Sequence, residues 1–226
     1  MKKFNKALGH HGFTIVEIMV ALMLVAMVFA LIPSNTADDE RARLDQTLDD
    51  FNRAVRFATN ESILRNAIVR VSIDLESEPQ EYTVEYSTEG GMALPEIQDL
   101  EDLSFDEREA QQRAAKDLNS QFQKVAEFSK EAKKIPMGVL VLGVANINRN
   151  DIVQSGNAYI YFYPTGEKDN ALIFLSTMAE LATLDIPPFE NTTFSDYSIY
   201  SEADHANLGN AQQAKMKELY EQWLKL

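Results

Sequence analysis

"GFTIVEIMVALMLVAMVFALIP", residues 12–33, decides how this 226-residue chain is built. From Ile15 to Ile32 eighteen residues run apolar, interrupted only by Glu17. A helix of about 17–25 predominantly apolar residues crosses a bilayer core. A soluble core helix would show a polar face, and this stretch has none. An ionised carboxylate inside hydrocarbon costs roughly 2.5–3.5 kcal/mol on insertion scales, and less near the interface. Glu17 therefore calls for a specific role.

The residues before the apolar run are "MKKFNKALGHHG", with a basic head of Lys2, Lys3 and Lys6. An ordinary secretory signal is cut after its apolar stretch and discarded. Here the apolar stretch is followed by Ile32, Pro33, Ser34 and Asn35, which is no A-x-A-like site. The processing point the sequence offers is Gly12–Phe13. A cut there removes a basic leader, residues 1–12, and keeps the greasy helix, residues 13–35. Glu17 then becomes the fifth residue of the mature chain.

The basic leader, Gly12, Phe13, Thr14, Glu17 and the apolar run together resemble the type IV prepilin and pseudopilin family. The resemblance implies cleavage by a prepilin peptidase between Gly12 and Phe13 and N-methylation of Phe13. It also implies that the anchor helices pack side by side in a filament. There the Glu17 carboxylate of one subunit meets the N-terminal amine of its neighbour. Two opposite charges in low dielectric offset one another, whereas either alone is costly. Glu17 would penalise the isolated membrane state and favour assembly. A plain membrane anchor with an incidental Glu is the alternative, and it leaves that cost without a purpose. His10 and His11 leave with the leader, and His205 is expected at the surface.

Composition adds bounds. The length allows one globular domain beyond the anchor, residues 36–226. Losing the three leader lysines takes the formal net charge from −14 to −17. Such a chain repels nucleic acid and anionic headgroups, so no nucleic-acid partner is expected. There is no cysteine, so the head must hold together through its own core. With the basic leader inside, the positive-inside rule places residues after Pro33 across the inner membrane. The expected location is a single-pass inner-membrane protein with a periplasmic head, in contact with membrane lipid.

Pro33 should weaken or kink the helix, and Ser34, Asn35 and Thr36 are cap residues for a restart. Leu44, Leu48, Phe51, Val55 and Ala58 then recur at helical spacing, with Ile63 and Leu64 extending the stripe. A helix from Phe13 to Asn66 would be about 80 Å long at ~1.5 Å per residue. Its second half should lie on a sheet. "AIVRVSIDLE" alternates as a half-buried strand, with Val69, Val71, Ile73 and Leu75 inward and Arg70, Ser72 and Asp74 outward. "QEYTVEYST" repeats the pattern through Tyr82, Val84 and Tyr86. Glu78-Pro79 reads as the turn between them, and Gly90-Gly91 closes the second. Further strands are expected over Val139–Val144, Ala158–Tyr163, Ala171–Ser176 and Tyr197–Tyr200, with a tight turn at Pro164-Thr165-Gly166. The fold class is α+β and pilin-like: a long N-terminal helix packed on an antiparallel sheet head.

Two stretches, "ATNESILRNAIVRVSIDL" and "YFYPTGEKDNALIFL", resemble one branch of the family, the H-type (FimT-like) minor pseudopilins. The first matches the end of the long helix and first strand, the second a late hairpin. The chain departs from that branch in a polar, helix-favouring insert, residues 99–135. There Leu118, Phe122, Val125 and Phe128 fall at near-helical spacing. It departs again in a C-terminal helix, residues 207–226, with Met216, Leu219, Tyr220, Trp223 and Leu224 on one face. Each helix would pack on its own sheet or offer a surface to another subunit.

The acidic run Asp99, Glu101, Asp102, Asp106, Glu107 and Glu109 lacks the ligand alternation and central Gly of a calcium loop, and reads as a solvated face. No metal cluster, phosphate loop or nucleophile elbow appears, so no catalytic residue, metal or cofactor is assigned. The expected function is structural: a minor pseudopilin of a type II secretion system, moving proteins across the outer membrane. Its partners would be the prepilin peptidase, other pilin or pseudopilin subunits and the inner-membrane assembly platform. A minor pilin of a type IV pilus, for adhesion, motility or DNA uptake, has the same physics. A membrane-anchored periplasmic enzyme or binding protein is the third reading, and it would be indifferent to Gly12 and Glu17.

Overall fold

The computed structural model describes residues 15–30, 36–88, 105–147 and 151–225. The chain divides into two units, one ending at Ala37 and one running from Asp38 to Leu226. In the first, α1 spans Ile15–Ala30. Helix α2, Thr36–Arg65, leads into the second. Gly12, Phe13, Pro33 and Gly90-Gly91 lie outside the described residues, as does the junction between α1 and α2.

One face of α2 is buried along its length: Leu44, Leu48, Phe51, Ala54, Val55 and Ala58. Burial of each large member contributes about 1.5–3 kcal/mol. The stripe does not continue through Ile63 and Leu64, which are 50% and 80% exposed. At 3.6 residues per turn the inward position after Ala58 is Ser62, and the next two residues rotate outward. Ser62 is fully buried, and its hydroxyl donates to the Thr59 carbonyl at 2.8 Å and the Tyr163 carbonyl at 3.1 Å. The helix stops at Asn66, which adopts φ 49°. Asn66 N–H donates to the Ile63 carbonyl and Ala67 N–H to the Ser62 carbonyl. These two bonds close a Schellman cap, in which Asn tolerates the left-handed conformation.

Two antiparallel sheets follow, where the sequence suggested one. The first holds β1 (Val69–Asp74), β2 (Glu81–Ser87), β3 (Phe122–Lys124) and β7 (Asn157–Phe162) in the order β3-β2-β1-β7, and β4 (Lys133–Lys134) also pairs with β2. The second holds β5 (Leu140–Asn146), β6 (Asp151–Val153), β8 (Ala171–Ser176), β9 (Glu180–Ile186) and β10 (Phe194–Ile199) in the order β10-β9-β8-β5-β6. Val69, Val71 and Ile73 of the first sheet and Ile173, Leu175 and Leu184 of the second join the α2 stripe in one core.

The second sheet is covered on both faces. Leu172, Phe174 and Leu181 point away from α2 and meet Met216 of α4 (Leu208–Trp223). Every residue of β8 is therefore buried. Leu219, Tyr220 and Trp223 also pack into this layer, while Leu224 is exposed.

Three sequence expectations need correction. Strand β1 is not half-buried, because Arg70 and Ser72 on its outer face are buried as well. Residues Leu118 to Phe128 do not form one helical face: α3, Phe105–Ser120, ends at Ser120. Phe122 then enters β3 on the edge of β2, and Val125 and Phe128 join the main core from the turns beyond. Finally, the tight turn at Pro164-Thr165-Gly166 closes only a short antiparallel bridge between Phe162 and Lys168, not a hairpin of β7 with β8. Its N–H to Tyr163 carbonyl bond, with Gly166 at φ +86°, makes a tight turn, yet β7 and β8 belong to different sheets. The segment carries the chain from one sheet to the other.

The head has a direction. Arg41 of α2 meets Glu180, and the Arg43 guanidinium lies near Gly138, both at the end of the second sheet where β5 starts and β10 finishes. At the opposite end Ser62 meets Tyr163, and Ile63 approaches Gly166. We call the first end the base, because the first turns of α2 lie there, and the other the top.

Candidate functional site

The residues singled out in the sequence are Gly12, Phe13 and Glu17. Gly12 and Phe13 lie outside the described residues. Glu17 sits in the first turn of α1 and is exposed. A carboxylate there faces the positive end of the helix dipole. Around it, Ile15, Val16, Ile18, Met19, Val20, Leu22, Met23 and Met27 all stand at least half exposed. These residues cover every side of the helix, so α1 is apolar all round and demands apolar surroundings. Among the described residues no helix is long and apolar enough to cross a membrane, α1 being described over 16 residues.

The base of the head carries a polar cluster that sequence reasoning missed. Arg41 forms an ion pair with buried Glu180 at the start of β9 and a second with Asp45, at 3.2 Å from its Nε. Its guanidinium stacks 3.6 Å from the centre of the Tyr197 ring on β10. The Tyr197 hydroxyl donates to Asp45 Oδ1 at 2.9 Å. Burial, and then the adjoining Asp45 carboxylate, pushes the Tyr197 phenol above its ordinary pKa. The cluster ties the first turns of α2 to the edge of the second sheet. The spacing of Arg41 and Asp45 was visible as an i,i+4 pair, but β9 and its Glu180 were not recognised as a strand.

Arg70 is a further buried charge. It is 3% exposed, chelates Glu85 through Nε at 2.8 Å and Nη2 at 2.7 Å, and donates from Nη1 to Asn119 Oδ1 at 2.6 Å. Phe122 and Tyr159 sandwich its guanidinium at 3.9 and 4.1 Å. A planar guanidinium suits this combination of fork and stack, and a lysine would not. The last turn of α3 is thereby fixed to the first sheet.

Asp169 is buried at the crossing between sheets. It accepts from Asn146 Nδ2 at 2.8 Å, from Tyr161 N–H at 3.0 Å and from the Tyr163 hydroxyl at 3.3 Å. Burial, reinforced by Asp169, raises the Tyr163 phenol well above its usual range. A network at the base of α4 joins Ser176, Tyr200 and Gln212 through bonds of 2.8 and 3.1 Å. These arrangements position elements. A shallow cleft of about 370 Å³ at the top is lined by Asn66, Ile68, Tyr163, Pro164 and Glu167 among others, with no histidine, lysine or arginine. His205 is exposed. Asp99, Glu101 and Asp102 of the acidic run lie outside the described residues, and Glu109 pairs with Arg113. Among the described residues no group of three or more acidic, histidine or cysteine side chains is placed to hold a metal.

Comparison with known proteins speaks to the N-terminus. Residues 8–33 match the prokaryotic N-terminal methylation motif. The match spans Gly12, Phe13, Glu17 and the α1 residues, and it supports a type IV pilin-like or pseudopilin protein. Neither a curated protein nor a solved structure matches the chain.

Proposed function

We propose that this chain is a minor pseudopilin, a structural subunit of a type II secretion pseudopilus rather than an enzyme. The observation that carries the reading is the methylation motif set on a helix that is apolar all round. Such a helix must be surrounded by lipid or by other helices like itself. In the proposed cycle, residues 1–12 are removed by a prepilin peptidase and Phe13 is N-methylated. Residues 13–35 hold the subunit in the inner membrane with the head in the periplasm. Glu17 then meets the amine of a neighbouring subunit when the assembly platform lifts the chain into the filament.

The head supports the same reading. An amphipathic helix lies on antiparallel sheets, and its polar clusters fix elements in place. The H-type assignment within the pseudopilins rests on the sequence resemblance around residues 58–75 and 161–175. A minor pilin of a type IV pilus shares the N-terminal motif and is the second reading.

The deciding experiment is extraction of the full chain in mild detergent from its native host, followed by identification of the subunits that co-purify. Pseudopilins of a secretion operon are the expected companions. Recovery with pilins of a retractile pilus would replace the first reading with the second. Recovery with no pilin-like subunit at all would remove both.

A further inference from the structure

The head exposes large apolar side chains at its base. Met137 is 82% exposed, Leu140 52%, Met178 64% and Ile199 76%. They come from three separate stretches of the sequence, and the sheet gathers them. Leu140 opens β5 and pairs with Ser176, the last residue of β8. Met178 lies in the turn that follows, between β8 and β9. Ile199 ends β10 opposite Glu180, the first residue of β9. Met137 directly precedes Gly138, which lies against Arg43. Single exposed apolar residues need no explanation, but a group converging on one edge does.

That edge holds the part of the head closest in sequence to α1. Arg41 and Arg43 of α2 mark it. Only eight residue steps separate Ala30, the last of α1, from Asp38, the first of the head unit. Even fully extended, such a link reaches no more than about 30 Å. A short tether of this kind gives a weak surface contact a high effective concentration.

We propose that Met137, Leu140, Met178 and Ile199 rest in the interfacial layer of the bilayer that holds α1, before the subunit enters a filament. The inference rests on the membrane-anchor reading of α1. Apolar side chains at a membrane surface are buried about 5–10 Å into the headgroup–acyl boundary. The contact is apolar in origin: Glu40 and Glu202 also lie near the base, and anionic headgroups would repel them. The occupant is therefore the bilayer's apolar boundary and not its charge. Docking in this way would hold the head against the membrane until neighbouring subunits displace the lipid.

The test uses the full chain in vesicles of phosphatidylethanolamine and phosphatidylglycerol. The protein has no cysteine, so single substitutions accept a fluorescent label cleanly. Labels go at Met178→Cys and Ile199→Cys on the base, at Phe189→Cys on the opposite end, and at Met23→Cys in α1. All four positions are exposed, so folding is preserved. Lipids with brominated acyl chains should quench the labels at 178, 199 and 23 and blue-shift their emission. The label at 189 should stay unquenched, and raised salt should leave the pattern unchanged. Quenching at 23 with none at 178 and 199 overturns the inference and leaves the anchor intact. Absence of quenching at 23 overturns the anchor reading and the inference with it. Base labels that respond only to the protein-to-lipid ratio, and not to bromine, would assign the surface to another subunit and overturn lipid contact.

Discussion

Arg70 Nη1 donates to Asn119 Oδ1 at 2.6 Å, which joins the second residue of β1 to the last turn of α3 across 49 residues of sequence. The bond explains why a helix that is polar on most sides sits at a defined place on the head. Leu118 packs beside Phe122 and Tyr161, and Arg70 provides the polar anchor beneath them.

Breaking the anchor has a graded outcome. Arg70→Ala leaves the largely enclosed Glu85 carboxylate, 14% exposed, without its partner and should destabilise the head by about 2–4 kcal/mol, somewhat below the loss for a fully buried pair. Asn119→Ala removes one bond and should cost about 1–2 kcal/mol. Joint replacement of Arg70 by Met and Glu85 by Leu should cost less than Arg70→Ala alone, since no unpaired charge remains. Urea unfolding of the detergent-solubilised chain reads all three. Equal losses for the single and joint replacements would contradict the buried-pair account.

The two ends of the α2 pattern should behave differently. Leu48→Ala and Phe51→Ala empty buried positions and should cost about 2–5 kcal/mol each. Leu64→Ala, at a position 80% exposed, should stay within about 0.5 kcal/mol of the parent. A large loss at Leu64 in the isolated subunit would mean that the end of α2 is packed in a way the structure does not show.

This contrast shows what was legible beforehand. The spacing of Leu44, Leu48, Phe51, Val55 and Ala58 identified the helix and its buried face because one side faces core and the other water. Ile63 and Leu64 misled because hydrophobicity was followed past the point where the helical phase turns outward. Strand β9 was missed for the opposite reason. Leu181 faces α4 while Ala182 and Leu184 face α2, so alternation vanishes when both faces are covered. Phe122, Val125 and Phe128 fit helical spacing locally, but the open edge of β2 claims Phe122 as a strand partner. The N-terminal motif was the most legible feature, because its chemistry depends on residue identity and spacing rather than on tertiary contacts. The Arg41–Glu180–Tyr197 cluster was illegible, being assembled from residues up to 156 apart in the sequence.

Asp185 gives a pH test. Burial raises its carboxyl above the ordinary value, against the opposing bond from Trp223 Nε1 at 3.0 Å. A carboxyl whose folded pKa is raised binds its proton more readily in the folded state. Its favourable contribution is full below the unfolded value, near pH 4, and is lost as pH rises through the folded pKa. Asp185→Asn keeps an acceptor for Trp223 and cannot ionise. The variant should therefore gain on the parent as pH rises from about 4 to 7. Urea midpoints for both proteins across that range check it. A parent that gained relative to the variant over the same interval would reverse the sign and contradict the burial argument.

Glu17 separates insertion from assembly. Glu17→Leu should insert in the membrane at least as well as the parent, since the intramembrane charge, roughly 2.5–3.5 kcal/mol on insertion scales, is gone. Leader removal should continue, because Gly12 and Phe13 are unchanged. Crosslinking to other pilin subunits should fall, and Glu17→Asp should be intermediate because its reach is one methylene shorter. Wild-type crosslinking by Glu17→Leu would remove the carboxylate from the assembly mechanism and return α1 to a plain anchor.

The most direct measurement is the mass of the N-terminus of the chain extracted from membranes of cells that hold the peptidase. The account predicts a chain beginning at Phe13, carrying one methyl group on its amine, with residues 1–12 absent. An intact Met1 terminus in those cells, or a chain cut beyond Ile32, would contradict it.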